Sequence, residues 1–402
     1  MKRRGFLLVP NLAAVNSIGE MVISAHRAIA ASCNHSIHDL QSRSQTNSSA
    51  SAVLGLKRSS HIAQKAATAA RRQNRMTKFN SLTKAGCLFL LLAATAITLP
   101  AQTFTTLHSF DGTDGNNSQA ALVQATDGNL YGSTVYAGAN GVGTIYKMTT
   151  SGTATLVTSF DGANGSSPWN ALVQGTDGNL YGTANYGGAD HDCSGGCGVV
   201  YKTTLAGAIT TLHSFDGTDG VNPQEGLVLG SNGDLYGLTL FGGDGYGTVF
   251  NINASGKLTT LHNFVDGTDG GYPYPAMIQA TDGNFYGTTY TGGAYDEGTV
   301  FRLTPGGTLT TIYSFCPDGN LCTDGAEPVG GLVEGNDGNL YGVAAHGANQ
   351  ICGCGTIFRL SLSGTFTTLH SFNGTDGNGS WSRMVQGTDG NFYGVTTYGG
   401  TS

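Results

Sequence analysis

From residue 103 onward, short runs rich in Val, Leu, Ile, Tyr, Phe and Thr alternate with Asp-Gly, Gly-Gly and Ser-Gly pairs, and no stretch keeps the apolar period of a helix. The pattern predicts strands over 121–125 (ALVQA), 129–134 (NLYGST), 143–149 (GTIYKMT) and 153–160 (TATLVTSF). In 104–110, Phe104, Thr106, His108 and Phe110 share one side while Leu107 takes the other. Apolar groups on both sides imply a sheet covered on both faces.

These four runs recur. The Tyr of DGNLYG and its near copies falls at Tyr131, Tyr181, Tyr236, Tyr286, Tyr341 and Tyr393, and the Phe of LHSF and its variants at Phe110, Phe160, Phe215, Phe264, Phe315 and Phe372, a repeat of 49–57 residues. The chain is therefore read as an all-β protein with a repeat domain over 102–402, its units at about 121–170, 171–225, 226–275, 276–330, 331–382 and a partial 383–402. A four-stranded unit covered on both faces is a β-propeller blade, favoured over a sandwich or a solenoid. Five blades are complete. Segment 103–110 reads as an extra fourth strand, and the abrupt YGGTS ending predicts a fragment of a longer array.

Spacing adds a direction. The interval from first to second strand is nine residues in all six units, and from third to fourth it is seventeen in all five. From second to third it runs 12, 17, 11, 12 and 14, and between units 12, 12, 12, 13, 17 and 12. In an up-and-down blade the two variable connections emerge on one face, where loops on a rigid scaffold commonly carry function.

Charge divides the chain at about Gln102: +11 before it and −18 after it, hidden in a total of −7. Within the basic part, Lys78 and Lys84 precede the apolar run Cys87–Ala96 and a small-residue stretch ending Leu99-Pro100-Ala101, the layout of a signal peptide over 76–101. Met76 then becomes a start, and 1–75 a disordered or spurious extension. The rival reading turns 85–101 into a signal anchor, short for a span. A secreted or cell-surface monomer with no membrane span after cleavage is expected, and the acidic balance argues against nucleic acid and anionic membranes.

The ordered phrases LVQGTDGNLYGT, YGGA, a GTVFKLT-like run and TLTTLHSFDGTDG, as at 171–183, 276–288 and 383–395, resemble the gloVer tandem repeat of exported bacterial proteins, often found with a choice of C-terminal surface anchors. The resemblance covers about 103–402 and implies a propeller-like surface or secreted protein. It carries over no catalytic residues.

Six cysteines remain after cleavage, in close pairs: Cys193 with Cys197, Cys316 with Cys322, Cys352 with Cys354. Export makes disulfides the leading reading, with pairing either local or crossed between neighbouring loops. His191 beside the first pair could suggest zinc, and Asp190, Asp192 and Ser194 copy the opening of an EF-hand loop, but its twelfth position is Tyr201 and no helix flanks it. The recurrent Asp111/Asp114, Asp216/Asp219, Asp266/Asp269 and Asn373/Asp376 could meet calcium, yet they suit the turn itself. His108, His213, His262 and His370 recur at one strand position and suit packing between blades. Gly243, Gly245 and Gly247 open no helix and form a turn rather than a phosphate cradle. No cofactor motif is present.

The leading functional expectation is a non-catalytic scaffold whose loop-rich acidic face binds a glycan or an extracellular protein, with Trp169, Tyr272, Tyr274 and Trp381 placed for stacking. The alternative is a propeller lyase or glycan hydrolase with its site on the same face. That needs acids which break the repeat, and only Glu225, Glu297, Glu327 and Glu334 depart from the Asp pattern.

Overall fold

The computed structural model describes residues 105–400 apart from 191, 266, 320 and 348–351. The expected extension, the signal segment with Lys78, Lys84 and Cys87, and residues Phe104, His191 and Asp266 lie outside the described residues. Every described sheet is antiparallel, and no helix is present among those residues.

Blade 1 runs β1 (Val123–Gln124), β2 (Leu130–Thr134), β3 (Thr144–Met148) and β4 (Ala154–Ser159), paired in that order. Blade 2 repeats it with β5 (Val173–Gln174), β6 (Leu180–Ala184), β7 (Val199–Thr203) and β8 (Ile209–Ser214). Blade 3 has β9 (Val228–Leu229), β10 (Leu235–Thr239), β11 (Thr248–Ile252) and β12 (Leu258–Asn263). Blade 4 has β13 (Gly271–Pro273), β14 (Ile278–Gln279), β15 (Phe285–Thr291), β16 (Thr299–Leu303) and β17 (Leu309–Ser314). Blade 5 has β18 (Val333–Glu334), β19 (Leu340–Ala344), β20 (Thr356–Leu360) and β21 (Phe366–Ser371). Unit 6 is a two-stranded sheet of β22 (Val385–Gln386) and β23 (Phe392–Tyr393).

The double strand of blade 4 shows why the first strand of each blade is so short. β13 and β14 both pair with β15, and the chain leaves the ladder between Pro273 and Ile278. The other units place one bridge in the same position, as Asn116↔Tyr136, Ser166↔Tyr186, Val221↔Phe241, Ala326↔His346 and Asn378↔Tyr398. The innermost strand is thus kinked in every unit, and its freed carbonyls are bound from the preceding blade: Ser133 Oγ donates to Asn170 O at 3.2 Å, and Thr288 Oγ1 to Pro328 O at 2.6 Å.

The apolar core lies in seams between blades. Tyr131, Ile145 and Phe160 of blade 1 pack with Leu172, Leu180, Val199 and Tyr201 of blade 2, and the same arrangement recurs at the next three seams. At each seam the Phe ending one blade meets the third-strand ring of the next, edge to face: Phe160 with Tyr201, Phe215 with Phe250, Phe264 with Phe301 and Phe315 with Phe358, at 5.0–5.5 Å. Room for that ring comes from the second-strand glycine. A Cβ on Gly132 would stand 2.6 Å from the Tyr146 hydroxyl, and one on Gly237 or Gly342 would collide with Phe250 or Phe358.

The seventeen-residue interval has an equally physical cause. Each complete blade carries a bulge between its third and fourth strands, at the same register step. The bulged residue aims its carbonyl at a turn glycine of the following blade, as Leu212 does at Gly256 and Ile312 at Gly364, and both glycines have positive φ. One residue more or less would lose the bulge.

Residues 105–110 form no ladder, because the described residues hold no third strand beside them. Phe110 nevertheless packs on Tyr146 at 4.9 Å, as Phe160 does on Tyr201. The arrangement is not a linear stack: Arg383 of unit 6 donates to Ala276 O of unit 4 at 3.3 Å, and Trp381 meets Tyr274. A solenoid limits each repeat to its neighbours, whereas units grouped around an axis meet there.

Candidate functional site

The repeated polar residues are structural. In the DGNLY turn, Asp127 accepts from Asn129 N and Nδ2 and from the Tyr131 hydroxyl at 2.8–3.0 Å, and the four equivalents at Asp177, Asp282, Asp337 and Asp389 do the same. In DGTDG the first Asp closes the turn: Thr218 N and Oγ1 donate to Asp216 at 2.9 and 2.7 Å. The second Asp meets the strand histidine: His213–Asp219 at 2.6 Å, His262–Asp269 at 2.8 Å and His370–Asp376 at 2.9 Å. Each of these rings also stands edge-on to the Phe two residues later.

Sequence reading missed the His–Asp pair, although the signal was present. Where Thr158 replaces the histidine, the second Asp becomes Asn164, and where Tyr313 replaces it, its hydroxyl donates to Asp324 at 2.6 Å across the longest loop.

Two groups break the repeat. The first lies at the kinks, where the inner strands converge. Ala276 N–H donates to the half-buried Glu225 carboxyl, and the Arg383 guanidinium lies within Coulombic reach of it. Burial pushes Glu225 well above the usual glutamate range, against the pull of Ala276 and Arg383. Tyr274 stands perpendicular to Trp381 at 6.3 Å, and burial together with Glu225 raises its hydroxyl. Trp381 is 46 % exposed.

The second group spans blades 4 and 5 on the variable face. Glu327 N donates to Glu297 O at 3.0 Å, the Glu327 carboxylate meets His346 Nδ1 at 2.6 Å, and the Tyr290 hydroxyl donates to Glu327. Burial raises Glu297, Glu327 and Asp296 raise it further, and His346 opposes them.

Of the sequence-selected aromatics, the structure therefore joins Tyr274 and Trp381. Tyr272 belongs to a separate trio, 5.5 Å from Phe241 and 5.6 Å from Tyr246. Trp169 holds the Trp381 position in blade 2, with its indole N–H buried and without a partner among the described residues. The fourth unusual acid, Glu334, does other work. It accepts from Thr281 N and Oγ1 at 2.9 and 2.6 Å, a clamp that Gln174 and Gln279 supply at their seams by accepting from Thr126 N and Ser231 N.

The cysteine sulfurs lie at bonding distance in local pairs, 193–197, 316–322 and 352–354. Asp190 accepts from Asp192 N at 2.9 Å within its own turn, and among the described residues no three His, Cys, Asp or Glu side chains are grouped to hold a metal ion. Among those residues no helix is long and apolar enough to cross a membrane.

Kinked four-stranded blades around an axis define a β-propeller repeat protein. The chain belongs to the Gloeobacter/Verrucomicrobia repeat family, whose profile matches residues 75–195 and 191–402. No curated protein matches it. Solved structures similar to it include the extracellular domain of a hybrid two component system from B. thetaiotaomicron (12% identity, TM-score 0.45, covering 69% of this chain and 32% of that one), so the chain spans about a third of that domain's length. Others are a protein described as a gluconolactonase (13% identity, TM-score 0.41, 71% and 87% covered) and a gluconolactonase from Xanthomonas campestris (16%, TM-score 0.36, 55% and 67%). The fold assignment rests on the chain's own blades.

Proposed function

We propose that the protein is an exported, non-catalytic propeller scaffold that binds an extracellular glycan where the kinked inner strands converge. The observation that carries this reading is the perpendicular Tyr274–Trp381 pair beside Glu225 and Arg383. Ring faces pack on the apolar faces of sugars, and a carboxyl with a guanidinium supplies hydrogen bonds to hydroxyl or acidic substituents. The apparent disulfides and a layout resembling a signal peptide support export. A glycan panel titrated against the full chain, read by tryptophan fluorescence, tests it. Trp381→Ala is expected to weaken the strongest response by about tenfold. A panel with no saturable response, while a protein partner is captured through this face, would replace the glycan.

The Glu297–Glu327–His346–Tyr290 group favours a second reading, hydrolysis or elimination on a glycan. It sets a carboxyl with raised proton affinity beside a second carboxylate held by His346 and Tyr290. Turnover abolished by Glu297→Gln would support it, and turnover unaffected by that change would exclude this group.

A further inference from the structure

The six basic residues that follow Gln102 divide by place. Lys147, Lys202, Arg302 and Arg359 hold one repeated third-strand position, opposite Tyr131, Tyr181, Tyr286 and Tyr341 of the second strand. There the first three lie within Coulombic reach of the Asp in the DGN turn. Lys257 directly precedes β12 at a hairpin tip. Arg383 alone stands at a kink, in a segment whose net charge is −18.

The three residues at the kink read QAA, WNA, QEG, YPA, VGG and WSR along the six units. Glu225 and Arg383 are the only charged types among them, and the fold brings them to one place. The exposed Arg383 side chain extends from unit 6 across blade 5, where a Cβ on Gly331 would stand 3.3 Å from its Nε. Its Nη2 then donates to Ala276 O of blade 4 at 3.3 Å, while Glu225 of blade 3 accepts from the Ala276 N–H. The two therefore meet across Ala276, each bound to its backbone, and among the described residues they form no close ion pair. A guanidinium carries five donors, and one carbonyl occupies a single donor. Burial favours the neutral form of Glu225, in which its O–H donates to an anion instead of repelling it. Trp381 and Tyr274, two residues before Arg383 and Ala276, hold their rings perpendicular at 6.3 Å.

We infer that this site selects acidic sugars, a uronate residue laying a ring face on Trp381 and its carboxylate against the Arg383 guanidinium. The inference rests on the glycan reading proposed above and narrows it. A planar carboxylate matches a guanidinium with two parallel hydrogen bonds, a geometry that a neutral hydroxyl does not supply. The net charge of −18 repels an anionic chain in general, so the Arg383 contact sets where such a chain is held.

The probes are trimers of galacturonate, glucuronate and mannuronate, each as the free acid and as its methyl ester, which keeps the sugar and removes the charge. They are titrated against the full chain by calorimetry at fixed ionic strength. At least one acid is expected to bind about tenfold more tightly than its ester. Arg383→Gln should bring that acid down to the affinity of the ester, and Arg383→Lys should keep part of the preference, with the thermal midpoint verifying both folds. The acid and ester comparison on the unaltered chain decides the matter even where a variant does not fold. Equal binding of acid and ester in every pair, or a preference that survives Arg383→Gln, overturns the inference. Neutral oligosaccharides bound while every uronate fails would overturn it too and leave the glycan reading standing, whereas no saturable binding of any sugar overturns both.

Discussion

Glycine abundance is the feature of the residue scale most easily mistaken for looseness. At Gly132, Gly182, Gly237, Gly287 and Gly342 the missing Cβ is the space that a neighbouring aromatic ring fills. Gly237→Ala is expected to cost about 1–3 kcal/mol, seen as a lower chemical-denaturation midpoint, because the Phe250 ring is fully buried and has nowhere to move. The sequence showed these glycines recurring after Tyr, but the reason lies on the adjacent strand. The His–Asp pairs were equally readable in principle, since Thr158 with Asn164 shows the two positions changing together.

Strand boundaries and turns were legible because each is fixed locally. The predicted runs 129–134 and 143–149 became β2 and β3, trimmed by a residue at their ends. The kinked first strand was not legible, since periodicity registers an apolar run without showing that a carbonyl has left the ladder. Nor was the clamp that Gln174, Gln279, Glu334 and Gln386 make across their seams, a position that Leu229 holds in blade 3. Gln279 accepts from Ser231 N and donates to Gly283 O at 2.9 Å, so Gln279→Ala should cost about 1 kcal/mol in a urea titration. Glu334→Gln installs the residue that clamps at positions 174, 279 and 386 and should stay within about 0.5 kcal/mol of the parent.

For the whole molecule, the sequence revealed the repeated unit and the four exceptional acids, but not what those acids meet, because Glu225 and Arg383 stand 158 positions apart in the chain. Their meeting gives a pH signature. The ordinary glutamate value is 4.5, and burial raises Glu225 well above it. Between those values the native state keeps a proton that the unfolded state has released, so this group makes stability fall as pH rises through that window. Glu225→Gln should flatten that part of the curve in urea midpoints from about pH 4 to pH 8. The turn carboxylates act oppositely: Asp127, Asp177, Asp282 and Asp337 lie below their usual 3.8, so their stabilisation disappears as pH drops beneath it.

The seams themselves have a genetic consequence. A Phe at the end of one blade meets the same kind of ring, over the same glycine, whichever blade comes next. Unequal crossing-over between two copies would therefore delete or duplicate one entire unit and leave every remaining junction chemically matched. Blade count can drift along a lineage without a compensating core mutation, while loop insertions accumulate independently on one side of the disc.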